Sequence, residues 1–218
     1  MMKNLVTLAL AAAFTAATPA VLAQGAAQAS ATAKAATPSK MVLDNSTRIL
    51  ATLESRRAEF TRNRAALREF VSGEFNAMFD RDYAARLVLG MHGRGASDAD
   101  VKLFADALAD GLMQRYGSSL LDLNTKLKVR VKSETPLPNG RGVRVSSEFI
   151  RQAGEPVPVD YLMRNTGTGW KVFDVMVEGV SFVQTFRTQF DGPLTRKSIA
   201  QVAADLRAGK LEADASQN

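Results

Sequence analysis

The sequence predicts an α+β fold: helices, then a four-stranded twisted antiparallel sheet, then helices again, with the helices packed on one face of the sheet. Three observations carry this expectation. Apolar residues recur at three- and four-residue spacing from Val42 to Tyr116, and the period then switches to two between Leu127 and Val177. The period-two segments are joined by short turns, which antiparallel neighbours accept and parallel ones do not.

Thr37 ahead of Pro38 opens the first helix, since proline is tolerated at the first helical position, and Val42, Ile49, Leu53 and Phe60 form its apolar stripe. A second helix is expected over 64–79, with Leu67, Val71, Phe75, Met78 and Phe79 on one stripe. Asp82 is read as the cap of a short helix that ends at Leu89, with Gly90 as its stop. Ser97 with Asp100 resembles a capping box that opens a helix to about Leu121, whose inward face holds Val101, Phe104, Leu108, Leu112, Met113 and Tyr116. Leu127, Val129 and Val131 alternate with Lys126, Lys128, Arg130 and Lys132 in a half-exposed first strand. Val143, Val145, Ser147 and Phe149 make the second strand, and Val157, Val159, Tyr161 and Met163 the third. A hairpin over 165–169 leads into the fourth strand at Trp170, and a last helix over 195–208 carries Ile199, Val202 and Leu206 on one face.

Lys3, an apolar stretch over 5–17 and the small-residue site Val21-Leu22-Ala23 before Gln24 read as a secretory signal over 1–23. Residues 24–39 are rich in Ala, Ser, Thr and Gln without apolar periodicity and are expected to be a flexible leader; 212–218 is expected to be a disordered tail. The intervening 40–211 suffices for one domain with a substantial core. With no cysteine there is neither a disulfide nor a lipid-modified cysteine anchor, so the chain reads as exported and soluble. Net charge is +6, and +5 once Lys3 leaves with the signal. Arg56, Arg57, Arg62, Arg64 and Arg68 crowd one region, but Glu54, Glu59 and Glu69 are interleaved with them. That pattern speaks against nucleic acid and for a solvated helix face, with anionic headgroups or an acidic docking surface as the other reading.

Catalytic chemistry is sparse. The one histidine, His92, sits among Gly90, Gly93 and Gly95, a spacing that matches neither a dinucleotide nor a phosphate loop. Without cysteine a His/Cys zinc site is excluded, and no metal, cofactor or catalytic residue is expected. Asp174 interrupts an apolar strand: it reads either as a raised-pKa acid in an apolar pocket or as a carboxylate paired to an arginine such as Arg187 or placed at a rim. Glu178 is read as a cap for the helix that follows.

The run over 170–190 is the most informative stretch. Trp170, Val172 and Met176 fall on one face of the strand and Phe173, Val175 and Val177 on the other, so both faces are largely apolar. After a turn at Glu178-Gly179 a helix follows at once, with Val180, Val183, Phe186 and Phe190 at helical spacing and Phe182 beside them. From the residues alone this surface is either solid core or the lining of an apolar cavity.

The order Trp170-Lys171-Val172, Asp174-Val175, Glu178-Gly179-Val180-Ser181, Arg187 and Gln189-Phe190 resembles the signature of the MlaC (toluene-tolerance) family. Phe79-Asp80, Leu89-Gly90 and the helix around Phe104 and Tyr116 agree with it, so the likeness covers about 43–209. One departure is Met91-His92-Gly93-Arg94-Gly95, where the family usually carries an aromatic and an arginine after the Leu-Gly. The resemblance implies an NTF2-like cone enclosing an apolar cavity, and a non-enzymatic periplasmic carrier of phospholipid that maintains outer-membrane lipid asymmetry. It implies as partners an outer-membrane lipoprotein-porin complex and an inner-membrane ABC transporter complex with a periplasmic lipid-binding ring. The expected lining is Phe75, Met78, Phe79, Leu87, Leu108, Leu112, Tyr116, Val145, Phe149, Tyr161, Phe173, Val175, Val177, Val180, Phe182 and Phe186, with Arg187 at the headgroup or rim. An NTF2-like isomerase or hydrolase using Asp174 or His92, and a carrier of an isoprenoid or hopanoid, are the competing readings.

Overall fold

Pro38–Ser55 forms α1, the first element of a computed structural model that describes residues 37–121 and 127–214. The expected signal and most of the leader lie outside the described residues. Thr37 caps α1 through a hydrogen bond from the Lys40 N–H, so Pro38 and Ser39 belong to a helix rather than to a leader. After it come α2 (Arg57–Arg62), α3 (Arg64–Met78), α4 (Arg81–Leu89) and α5 (Asp98–Tyr116). The cap of α4 is Asp80, which accepts from the Tyr83 N–H, and not Asp82. Ser97 caps α5 as read, but the α-helix stops at Gly117 and continues to Leu121 only as a 3-10 turn.

The sheet runs β1 (Lys128–Pro136), β2 (Val143–Ile150), β3 (Val157–Asn165), β4 (Trp170–Val177) and β5 (Val180–Ser181), all antiparallel and in chain order. The fifth strand corrects the expected four. Glu178 and Gly179 both take positive φ (53° and 86°) in a two-residue hairpin, so Val180 pairs with Val177 instead of opening a helix. The helix that follows is α6 (Phe182–Arg196); it continues through Pro193, near its last turn, before α7 (Ile199–Arg207), which Ser198 caps.

One face of the sheet is apolar. Val145, Tyr161, Met163 and Val172 pack there with Val42 of α1 and Met78 of α3. The other face carries charge: Arg130 and Lys132 flank Glu148, whose carboxyl Arg130 holds below the usual range. Glu134 accepts from the N–H and hydroxyl of Ser39 (3.0 and 2.7 Å), fastening the first turn of α1 to β1. A second core lies among α4, α5, α6 and α7, where Phe104, Phe190, Val202 and Leu206 are 0–1 % exposed. Ala213 and Asp214 are buried as well, so the described part of the expected tail is an anchored strap: Asp214 accepts from Arg115 (2.9 Å) and from the Tyr116 hydroxyl (3.0 Å).

The arginine-rich region is a solvated face. Arg56 pairs with Glu59 and lies over the Phe60 ring, and Arg57 pairs with Glu54.

Candidate functional site

The site begins with a break in strand pairing. Val172 pairs with Met163 and Asp174 with Leu162, so Phe173 is an extra residue, a bulge. The bulge resets the alternation of β4. Val172 now shares a face with Val175 and Val177, and Asp174 falls on the opposite face from Val172, contrary to strict period-two reading. The outer edge of β4 is paired at its two ends, through a bridge from Phe79 to Val172 and through β5 at Met176 and Val177. Between those pairings, over Phe173–Val175, lies a cavity of about 490 Å³. That size falls in the range of small-ligand pockets.

The walls come from every helix around that gap. From α3 come Val71, Ser72, Phe75 and Asn76, followed by Phe79; from α4, Arg81, Ala84 and Val88. From α5 come Leu108, Ala109, Asp110, Leu112, Met113 and Tyr116, then Gly117 and Leu120; β4 adds Phe173, Asp174 and Val175, and α6 adds Phe182, Val183 and Phe186. Phe75 stacks on Phe79 at 4.2 Å, and Tyr83 meets Phe173 edge-on at 5.3 Å. Phe75, Leu112, Tyr116 and Phe182 are only half-buried, an unusual state for apolar groups ringed by other apolar groups. The strap at 212–214 fixes one wall, because Asp214 holds the Tyr116 hydroxyl.

Asp174 is the one buried carboxylate in the lining. Ser181 Oγ donates to it at 2.6 Å and the Val183 N–H at 3.0 Å, so it ties β4 to the first turn of α6. Burial pushes its carboxyl up, and those hydrogen bonds oppose the shift. It is neither paired to Arg187 nor set at an open rim; the capping role expected of Glu178 is divided between Ser181 and Asp174. Arg187 is exposed on α6 against Gly90 and does not line the cavity. His92 Nε2 lies 2.9 Å from Asp191 Oδ1 and links the turn after α4 to α6, also away from the lining. Among the described residues no cluster of His, Asp or Glu could hold a metal ion.

A family model described as MlaC protein matches residues 43–208. The chain belongs to the MlaC family. It is 26 % identical over 192 residues to the toluene tolerance protein ttg2D of Pseudomonas putida, covering 85 % of this chain and 88 % of that one. It is 24 % identical over 154 residues to the intermembrane phospholipid transport system binding protein MlaC of Haemophilus influenzae, 69 % of each chain. A phospholipid-binding protein from Ralstonia solanacearum, solved with a phospholipid at 1.53 Å, superposes with a TM-score of 0.70 at 21 % identity, over 80 % of this chain and 98 % of that one. The two share a fold.

In this MlaC-family chain, Phe75, Phe79, Leu108, Leu112, Tyr116, Phe173, Val175, Phe182 and Phe186 come together around the cavity. Val145, Phe149, Tyr161, Val177 and Met78 do not: they belong to the cluster on the apolar face of the sheet. There the Tyr161 hydroxyl, pushed up by burial, bonds to Ser46 of α1. Leu87 lies on α4 outside the lining, and Val180 is in β5. Val71, Met113 and Val183 lie on the helical stripes read from the sequence but were not anticipated as lining, and Val88 and Leu120, also in the lining, lie on none of those stripes.

Proposed function

We propose that this protein is a non-enzymatic phospholipid carrier of the periplasm. It holds acyl chains in the β4-edge cavity and exchanges lipid between an outer-membrane lipoprotein-porin complex and an inner-membrane ABC transporter complex, so maintaining outer-membrane lipid asymmetry. The observation that carries this reading is a cavity walled by half-buried Phe75, Leu112, Tyr116 and Phe182 in a chain of the MlaC family. Its relatives, a phospholipid transport system binding protein and a phospholipid-binding protein with lipid bound, support the choice of guest and point to transport rather than catalysis. Asp174, the residue on which an enzymatic reading would rest, has both oxygens engaged by Ser181 and Val183.

Energetics set the manner of exchange. Burying an acyl chain is worth about 0.8 kcal/mol per methylene, so about 28 methylenes gain on the order of 20 kcal/mol relative to water. That is near the ceiling for non-covalent binding, so escape into water is too slow to be useful. Relative to a bilayer, where the chains are already dry, the preference is small. Transfer therefore needs a docked donor or acceptor that offers a continuous apolar path. No described helix is long and apolar enough to cross a membrane.

Mass spectrometry of the organic extract of natively purified protein tests the reading. Phospholipid at a fixed molar ratio is expected; an empty protein, or one carrying an isoprenoid or hopanoid instead, contradicts it.

A further inference from the structure

Against the outer side of the apolar cavity lies a second, polar cleft of about 610 Å³. The two are continuous in their walls, since Asn76, Phe79 and Arg81 line both. Four cations line the cleft, Arg81, Lys102, Arg164 and Lys171, against two carboxylates, Asp80 and Asp82. Asp106, beside Arg81 (2.6 Å) and Lys102 (3.4 Å), reduces that excess of two positive charges to one. A residual positive charge in a concave site concentrates anions.

The cations differ in how far they are committed. Arg164 donates through Nε to Asp80 (2.6 Å) and lies 4.1 Å above the centre of the Tyr83 ring, which fixes its guanidinium. Its other two nitrogens have no acceptor among the described residues. Lys102 is two-thirds exposed and, among the described residues, held only by the longer contact to Asp106. Arg81 spends its terminal nitrogens on Asn76 and Asp106, and its Nε is buried without a partner among the described residues, so Arg81 lends the cleft its charge and leaves the free donors to Arg164 and Lys102. Donors of this kind, held on a rigid frame, suit a phosphate, whose oxygens accept several charge-assisted hydrogen bonds at once.

We infer that the cleft over Arg81, Lys102 and Arg164 binds the phosphodiester of the same lipid whose tails fill the cavity, with the chain of the lipid crossing at Phe79. This rests on the proposed function and adds to it a recognised headgroup phosphate. It also places the phosphate away from Arg187, which lies against Gly90.

The test loads lipid-stripped full-length protein from vesicles that contain phosphatidylglycerol and diacylglycerol with identical chains, and reads both bound lipids by mass spectrometry. Phosphatidylglycerol is expected to be enriched over the vesicle ratio by roughly tenfold, the worth of one charge-assisted hydrogen bond. Lys102→Glu, at an exposed position, lowers the enrichment several-fold, and Arg164→Gln brings it near the vesicle ratio. Arg144→Gln, on the charged face of the sheet, is the control for net charge and leaves the enrichment as it was. Full loading at the vesicle ratio by the unmodified protein would overturn the cleft assignment and leave the cavity reading standing. Failure to load either lipid would instead remove the cavity reading on which the assignment depends. Saturable binding of inorganic phosphate by the stripped protein, lost in Arg164→Gln, together with no lipid discrimination, would assign the cleft to free phosphate and overturn its role as a headgroup site.

Discussion

Phe190 and Phe182 lie about two turns apart on α6 and have opposite surroundings. Phe190 is 1 % exposed: it meets Phe104 edge-on at 5.6 Å, in a core that α7 completes with Val202 and Leu206. Phe182 is half-buried beside a cavity whose far walls are Phe75 of α3 and the bulge of β4. Phe186 between them stacks toward Phe190 and also lines the cavity. The same residue type on one helix therefore serves two purposes. Where a second helical layer stands behind it, the ring is closed over by the protein itself. Where the opposite wall is a strand edge paired only at its ends, space remains for a guest.

Phe190→Ala breaks the closed region and should have the largest effect, a loss of about 3–5 kcal/mol by urea denaturation, with bound lipid per folded molecule nearly unchanged. Asp174→Ala acts at the junction, leaving the Val183 N–H and the Ser181 hydroxyl without their acceptor, and should lose about 2–3 kcal/mol; Asp174→Asn should lose less. Because the folded-state pKa of Asp174 is raised, its ionised form counts against the fold at pH above that value, and this penalty is relieved as the pH falls through it. Stability measured against pH should therefore gain a contribution on acidification across that window, and Asp174→Asn should flatten it.

Phe182→Asp, in the open region, should reverse the pattern: about 1 kcal/mol or less in the lipid-stripped protein, but loss of most bound phospholipid. Val177→Ala, on the closed apolar face of the sheet, should lose stability and keep its lipid. Should Phe182→Asp retain lipid while Val177→Ala loses it, the two regions have been assigned the wrong way round. The smallest effect is expected from Glu178→Asn. The left-handed backbone there (φ 53°) suits asparagine better, so a gain of up to about 1 kcal/mol should appear in thermal unfolding, with lipid content unaltered.

The helical stripes and the β1–β4 meander were legible because each buries one face, and burial imprints a period on the sequence. Two features of β4 left no such imprint. The bulge at Phe173 inserts one residue, and any count by twos beyond it assigns Val172 and Val175 to opposite faces when they share one. The pairing of Val180 with Val177 rests on a two-residue turn whose Glu178 is not a customary residue for positive φ, so the strand was read as helix. Phe75, Phe79, Leu108, Leu112, Tyr116, Phe182 and Phe186 of the lining were legible from helical segments and Phe173 and Val175 from a strand, but so were Met78 and, from the strands, Val145 and Tyr161, which pack under α1. Period tells which side of an element is apolar and says nothing of whether the opposite surface touches it. Asp174 stood out as a charge in an apolar strand, yet its partners, Ser181 and the Val183 N–H, become neighbours only when the β4–β5 turn folds back.

The central claim, that tails occupy the space beside the β4 edge and not the sheet face under α1, is open to one direct measurement. A phospholipid with a photoreactive diazirine near the end of one acyl chain is loaded into the protein, crosslinked, and the adducts are mapped by mass spectrometry after proteolysis. Adducts are expected on the wall formed by Phe75, Leu112, Met113 and Phe182. Adducts concentrated at Val145, Phe149 or Tyr161, or scattered over exposed surface, would contradict it.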